Sequence, residues 1–483
     1  MIESIARSAG FPAELRVLGW ARRNALVCIT GALYACAVFV GSAQEFEQDS
    51  WLSLSGGRDI AARGLPWHDR LTALTHGARW VDQQWLGKLF LYGTTVVGGV
   101  SLLFVVHVAF VLAGFAGAMA IARRRGASDR AVFWVAAVTI PTAPWAWQLR
   151  AQSLSYVLFV AVLGLLAADS VRPTRRVWFV LPLLALWANI HGSVTLGVAL
   201  TVLAGLVQIV RREVRGVALC VGGALCLFAS PYGFALAHYY RSLLFNPLLE
   251  HFVGEWQPSA SPGALPFFAL AIAVTWLLGR HWRTLSPFER LALALTAAAG
   301  FTAFRGIVWF LLAMIVLVPK LVDAEFPRAR PASRLVIGTA ALCVLAAVVI
   351  GAGAIAHVPR KIAAAFPNSV AATVMQQSAA HPGMKVFASE RYADWLLYED
   401  PALAGRLVYD IRFELFDRKL FDELLAFHEQ TGADWQRMLH GARLLVLYRK
   451  TDHRAALALR RTPGARVLYE NRDLVVILRA PAA

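Results

Sequence analysis

Asp49, Arg150, His191, Glu255 and Arg305 are polar residues that stand beside or between long apolar runs of this 483-residue chain, where their side chains could do chemistry. A carboxylate such as Asp49, with Glu47 as its substitute, can take a proton from a hydroxyl where geometry brings the two together. It can equally be a solvated carboxylate at a helix end. Arg150 and Arg305 carry guanidinium forks that match phosphate oxygens, and a partly dry setting strengthens that pairing. Snorkelling to lipid headgroups would also explain them. His191 follows Asn189 and precedes Gly192, so it can hydrogen-bond a phosphate or a sugar, or join two helices through a polar contact. His68-Asp69 could orient a substrate or the loop that carries it. Asp49, His68, Asp69 and His191 would suit a divalent cation, although no fixed ligand spacing marks a metal site.

The elements that must position these residues follow from hydropathy. Hydrophobic residues make up 58% of the chain and charged residues 16%, an apolar excess that must face lipid. The apolar residues form long runs up to Ala356, after which the chain reads as an ordinary soluble domain. A helix needs about 20 apolar residues to cross about 30 Å of hydrocarbon, and shorter ones are tolerated within a bundle. On that basis the chain reads as mainly α, a polytopic bundle of about eleven transmembrane helices with a C-terminal extracytoplasmic α/β domain. The expected spans are 24–43, 100–122, 130–147, 153–169, 177–190, 193–210, 216–231, 264–279, 288–304, 306–320 and 334–356. The expected domains are 1–357, with a large outside loop at 44–87, and 358–483. The first run lacks a small-residue cleavage motif and reads as an anchor.

Sidedness follows from the basic residues. The net charge of +17 would suggest nucleic acid in a soluble protein. Here the arginines cluster in short segments between apolar runs, which marks orientation and excludes a nucleic-acid partner. Arg22-Arg23, Arg123-Arg124-Arg125, Arg172 with Arg175-Arg176, Arg211-Arg212 with Arg215, Arg280 with Arg283, and Lys320 with Arg328 and Arg330 fall at every second loop. An N-terminus inside places them all in the cytoplasm. It places the remaining loops outside, with Glu45, Glu47, Asp49, Asp59, Asp82, Arg150, His191, Glu255 and Arg305. Within the first outside loop, residues 50–63 and 81–97 read as amphipathic helices lying at the membrane surface, their tryptophans at headgroup depth. Cys28, Cys36, Cys220, Cys226 and Cys343 all lie in apolar runs, without metal-ligand spacing or a disulfide framework.

A wider pattern emerges from Gln48-Asp49-Ser-Trp51, Gly57, Ile60, Gly64-Leu-Pro66, Asp69, Thr75, Gly77, Trp80-Val81 and Gln84-Trp85-Leu86. It continues through Arg150-Ala-Gln152, Asn189-Ile-His191-Gly192, Pro231-Tyr-Gly233, Glu255-Trp256 and Arg305, and into Trp395-Leu-Leu and Tyr409-Asp410-Ile-Arg412 with Glu414. Together these resemble bacterial GT-C-type glycosyltransferase-like membrane proteins, over nearly the whole chain. Ser53 stands where relatives often carry histidine, Ala151 where proline is common, and Ala393-Asp394 where glycine is favoured. None of these departures removes the acid. The resemblance implies transfer of a sugar from a polyprenyl-phosphate donor to an extracytoplasmic glycan, lipid or protein acceptor, at the bacterial inner membrane. It implies Asp49 as the base, and Arg150 and Arg305 on the donor phosphate. Gln152, Asn189, His191, His68, Asp69, Gln84, Trp85, Glu255 and Trp256 would bind substrate. The resemblance fixes no cofactor, with a divalent cation as an option.

The tail alternates strands at Lys385-Val-Phe-Ala, Arg443-Leu-Leu-Val-Leu-Tyr and Asp473-Leu-Val-Val-Ile-Leu with helical stretches. It has no Walker A motif, no GxGxxG and no Ser-His-Asp signature, so acceptor recognition or capping of the membrane site are the roles open to it. A transporter or flippase of lipid-linked saccharides would also explain the spans and arginines. No repeated segment pair supports it. A non-catalytic assembly protein is the third reading.

Overall fold

The computed structural model describes residues 13–44, 46–244, 246–326 and 334–480. Glu45, Arg328 and Arg330 lie outside these residues. The chain is mainly helical, with one four-stranded sheet near its C-terminal end. Among the described residues, five helices are long and apolar enough to cross a membrane: Asn24–Gln44, Trp85–Arg124, Ala151–Val171, Pro262–Arg280 and Leu335–Ala365. A sixth is formed if Phe304–Leu317 and Pro319–Glu325, bent by 51° at their junction, make one span. This is a multi-pass membrane protein.

The other expected spans coincide with shorter helices, such as Val194–Val210 and Arg215–Cys226. The segment expected at 130–147 shows one cause. Its α-helix, Asp129–Thr139, gives way to 3-10 turns at Ile140–Thr142 and Pro144–Trp147. Pro141 and Pro144 have no N–H to continue an α-helical ladder. Val194–Val210 and Arg215–Cys226 pack closely where Gly205 faces Gly216, since a Cβ on Gly205 would lie 2.6 Å from the Gly216 carbonyl oxygen. Small residues let helix backbones approach in this way when lipid supplies no hydrophobic drive between helices. At the centre of the bundle, every residue of Ile307–Leu317 is buried. That is the place for a helix apolar on all sides.

Two elements that follow the first span differ from expectation. The helix expected at 50–63 runs Gln48–Arg63 and ends at Gly64, whose φ of 73° favours glycine. Its tryptophan faces the protein interior. Trp51 is buried against Phe46, Phe366 and Tyr398, because the helix packs against both the Trp85–Arg124 helix and the C-terminal Glu390–Glu399 helix. The second helix begins at Trp85 and is continuous with the following span, broken only at Gly98-Gly99, where Gly99 has a φ of 65°.

In the C-terminal region, β1 (Val386–Ala388), β2 (Leu444–Tyr448), β3 (Arg466–Glu470) and β4 (Leu474–Leu478) form a sheet in the order β1-β2-β4-β3. β1 and β2 are parallel, whereas β4 is antiparallel to both of its neighbours. β3 was not legible in the sequence, because it is an edge strand with mostly exposed side chains and lacks the apolar run of its partners. The loop that follows the Gln48–Arg63 helix is stitched to this region. Leu74 N donates to Val408 O at 3.1 Å, and Val408 N donates to Val386 O of β1 at 2.9 Å. The Arg334–Ala365 helix runs through the position where a domain boundary was expected, 357/358. The five cysteines are free thiols.

Candidate active site

Asp49 occupies the first turn of the Gln48–Arg63 helix, and Arg150 immediately precedes the Ala151–Val171 helix. One hydroxyl ties these two helix starts together. Ser50 Oγ donates to the carbonyl of Leu149 at 2.6 Å, so the residues on either side of that bond are brought face to face. Arg150 Nη1 then donates to Asp49 Oδ2 at 3.1 Å and to Glu255 Oε2 at 2.8 Å. Arg150 is 4% exposed, and its Nη2 is buried without a hydrogen-bond partner. An unused guanidinium donor in a buried site is costly and invites an anion. Burial opposes ionisation of Glu255, but Arg150 and Arg305 outweigh it and hold its carboxyl below the usual range.

Arg305 sits in the turn Phe304–Gly306 that leads into the buried Ile307–Leu317 helix. Only glycine fits next to it, since a Cβ on Gly306 would overlap the Ala299 carbonyl. The guanidinium lies over the Trp256 ring, 4.6 Å from its centroid, with Nη2 3.5 Å from Gln152 Oε1. His191 is buried in the connection between the Val180–Trp187 and Val194–Val210 helices. Its Nδ1 accepts from Ser193 N at 3.1 Å, which leaves Nε2 to carry the proton. Burial, then Arg305 and Arg150, push its pKa well down, so the ring is neutral.

Asp49, Arg150, Gln152, His191, Glu255, Trp256 and Arg305 line one cavity of about 1010 Å³. Glu47, Asp49, Arg150, Gln152, His191, Glu255, Trp256 and Arg305 form one part of its wall, with Gln84. Another part comes from Trp80, Asp82, Lys88, Arg412 and Glu414, and a third from Glu390 and His428. No protein-family model matches the chain, and no curated protein matches its sequence. Solved structures do match. ArnT from Cupriavidus metallidurans in the apo state aligns with a TM-score of 0.52 at 16% identity, covering 97% of this chain and 100% of that one. ArnT from the same organism bound to undecaprenyl phosphate aligns with a TM-score of 0.51 at 15% identity, covering 95% and 100%. The fold is GT-C-like.

Within this GT-C-like fold, four expected site residues stand apart from the cavity wall. His68 is exposed. Asp69 is buried and committed to the protein: it accepts from Arg412 at 2.7 Å, Thr72 at 2.6 Å, Thr75 at 2.7 Å and Leu71 N at 3.0 Å. Burial opposes its ionisation, yet Arg412 and these hydrogen bonds keep its pKa low. Trp85 Nε1 donates to Asn189 Oδ1 at 2.8 Å, and Asn189 donates in turn to the carbonyls of Ala185 and Ala229. Asn189, two residues before His191, thus makes an interhelical polar contact, while His191 itself bonds Ser193 within its own turn. Asp49, His68, Asp69 and His191 are not brought together, and no group of three or more His, Cys, Asp or Glu among the described residues is arranged around a metal position.

Several wall residues escaped sequence reasoning. Lys88 is buried in an otherwise apolar helix, with Nζ 2.7 Å from Asp82 Oδ2 and 5.3 Å from the Trp80 ring centroid. A lysine inside an apolar run was the available signal. Glu390 and His428 gave none, for they lie in amphipathic helices of the C-terminal region that look ordinary.

Proposed function

We propose that this chain is a glycosyltransferase that moves a sugar from a polyprenyl-phosphate donor to an extracytoplasmic glycan, lipid or protein acceptor. The observation that carries the reading is the convergence of Asp49, Arg150, Glu255 and Arg305 on one cavity, with a buried unpaired donor on Arg150. The GT-C-like fold supports it, since the ArnT structure with the same fold is bound to undecaprenyl phosphate.

In this reading the acceptor hydroxyl oxygen attacks the anomeric carbon, and the bond from that carbon to the phosphate oxygen breaks. The bonding pair leaves on the phosphate, and the hydroxyl proton passes to the Asp49 carboxylate. Arg150, through Nη2, and Arg305 stabilise the charge that gathers on the departing phosphate. Gln152, His191 through Nε2–H, Gln84 and Trp256 position the sugar and phosphate. Glu255 keeps Arg150 in place when Asp49 turns to the acceptor. Glu47 flanks the base and is tied to Arg391 at 3.3 Å.

The same proposal includes eleven crossings of a bacterial inner membrane, the short helices being held within the bundle. It places the N-terminus in the cytoplasm and the region after residue 357 outside, supported by the alternation of basic loops. The test is incubation of the purified protein with a panel of radiolabelled polyprenyl-phosphate sugars. Consumption of one donor by the wild type, and not by Asp49→Asn, supports the reading. Failure to consume any donor sinks it.

A further inference from the structure

In the same cavity, the C-terminal region presents a second group of polar side chains that the transfer step does not use. His428 lies in the last turn of the Arg418–Glu429 helix, and its Nδ1 donates to Asp452 Oδ1 at 2.8 Å. Asp452 is fully buried and occupies the N-cap position of the His453–Arg460 helix, yet its side chain does not cap that helix. Its second oxygen accepts from Ser389 Oγ, which itself accepts from Tyr448 N at 2.7 Å. A carboxylate withdrawn from its own helix end and fixed between two donors sets the orientation of the imidazole. The outward nitrogen, Nε2, lies 3.6 Å from Glu390 Oε1, just beyond hydrogen-bond reach.

His428 and Glu390 both line the main cavity. They thus offer it a cationic N–H donor and a carboxylate acceptor side by side. Adjacent hydroxyls of a sugar ring need that combination, one oxygen accepting while its neighbour donates. Beside the pair, Phe252, Phe413 and Phe421 also line the cavity, with Phe252 and Phe421 stacked at 4.8 Å. Aromatic surface next to a polar clamp suits the apolar C–H faces of a saccharide. The site is also linked to the base. Arg391, next to Glu390 in sequence, pairs with Glu47, two residues before Asp49.

From this geometry we infer that His428 and Glu390 form the acceptor subsite and that the acceptor is a saccharide, gripped through a vicinal diol. The inference rests on the transferase reading, and it narrows the acceptor from glycan, lipid or protein to glycan. Asp452 and Ser389 are positioning residues, acting through His428.

The experiment uses the full chain in lipid nanodiscs on a printed array of saccharides, phospholipid headgroups and peptides. A separate arm measures binding of undecaprenyl phosphate. The wild type retains saccharides with free adjacent hydroxyls, and Glu390→Ala and His428→Gln each weaken retention roughly tenfold or more. Both variants bind undecaprenyl phosphate as the wild type does, because Arg150 and Arg305 are untouched. His428→Gln leaves the Asp452 carboxylate short of a charged partner, so a thermal melt accompanies it. Glu390→Ala, on a partly exposed side chain, is the variant that decides if His428→Gln fails to fold. Retention of no saccharide, equal retention by wild type and Glu390→Ala, or retention of headgroups or peptides alone overturns the inference. Saccharide retention without undecaprenyl phosphate binding would instead remove the donor reading, and with it the acceptor role, leaving a saccharide-binding site.

Discussion

Arg412 and Asp69, 343 residues apart in the chain, meet in an ion pair 2.7 Å long that is buried from solvent. Asp410 completes the pair at 2.7 Å, and the guanidinium lies 4.5 Å from the centre of the Trp80 ring. The segment between the Gln48–Arg63 and Trp85–Arg124 helices is thereby locked to the C-terminal region, and both supply walls to one cavity. Removing one member of a buried pair strands the others without solvent, typically at about 3–5 kcal/mol. Arg412→Ala should therefore lower the melting temperature and expose the C-terminal region to limited protease. Unchanged melting and cleavage would mean that the lock does not hold the two regions together.

Asp49 carries the functional claim. Loss of a general base costs about 10²–10⁴-fold in rate. Asp49→Asn, nearly unchanged in size, should lose transfer to that extent while still binding the donor lipid. Glu47→Gln is the matched control, since it breaks the pair with Arg391 and spares the proposed base. Normal transfer by Asp49→Asn with loss in Glu47→Gln would move the base to Glu47. Normal transfer by both would leave the loop a structural role only.

For the arginines, the geometry sharpens the expectation. Arg150 uses Nη1 for two carboxylates and keeps Nη2 unpaired, a division that one ammonium cannot reproduce. Arg150→Lys should cut transfer by about 10²–10³-fold at normal expression. Arg305→Lys, which loses the planar group stacked on Trp256, should also impair it. Wild-type rates in both lysine variants would leave the two arginines a structural role only, in the contacts they make with Asp49, Glu255 and Trp256.

A fourth prediction concerns pH. Burial alone would lower the pKa of His428, but Asp452 and Glu390 outweigh it and raise it from 6.5 to about 10. A histidine with a raised folded pKa contributes stability in full below its unfolded pKa. That contribution declines above pH 6.5 and is gone once pH passes about 10. The melting temperature of the wild type, relative to His428→Gln, should therefore fall from pH 6.5 to pH 10. A difference that stays constant or grows over that range would show that the imidazolium is not held by its two carboxylates.

Topology gives the fifth. A reporter active only in the cytoplasm, fused after Ala483, should be silent if the basic loops face inward. Activity there would reverse the sidedness and put the cavity in the cytoplasm.

The sequence by itself determined the helical class, the placement of most apolar segments, the three apolar strands and the polar residues near helix ends. These are legible because hydropathy and helix or strand periodicity are local properties, readable within about twenty residues. It could also place Asp49, Arg150, His191, Glu255 and Arg305 as candidates, since a charge beside hydrocarbon is expensive and stands out. Only the tertiary structure decided which of them meet. Arg150 reaches Asp49 across 101 residues and Glu255 across 105, while Asp69 and Asn189 are taken up by internal bonds. Trp51 reads as a surface anchor by its spacing, but packing between a span and the C-terminal region buries it. Glu390 and His428 enter the cavity because the Gln48–Arg63 helix and the loop around Asp69 both pack against that region. Such pairings depend on how distant helices pack, and no local pattern of residue types encodes the partner of a buried charge.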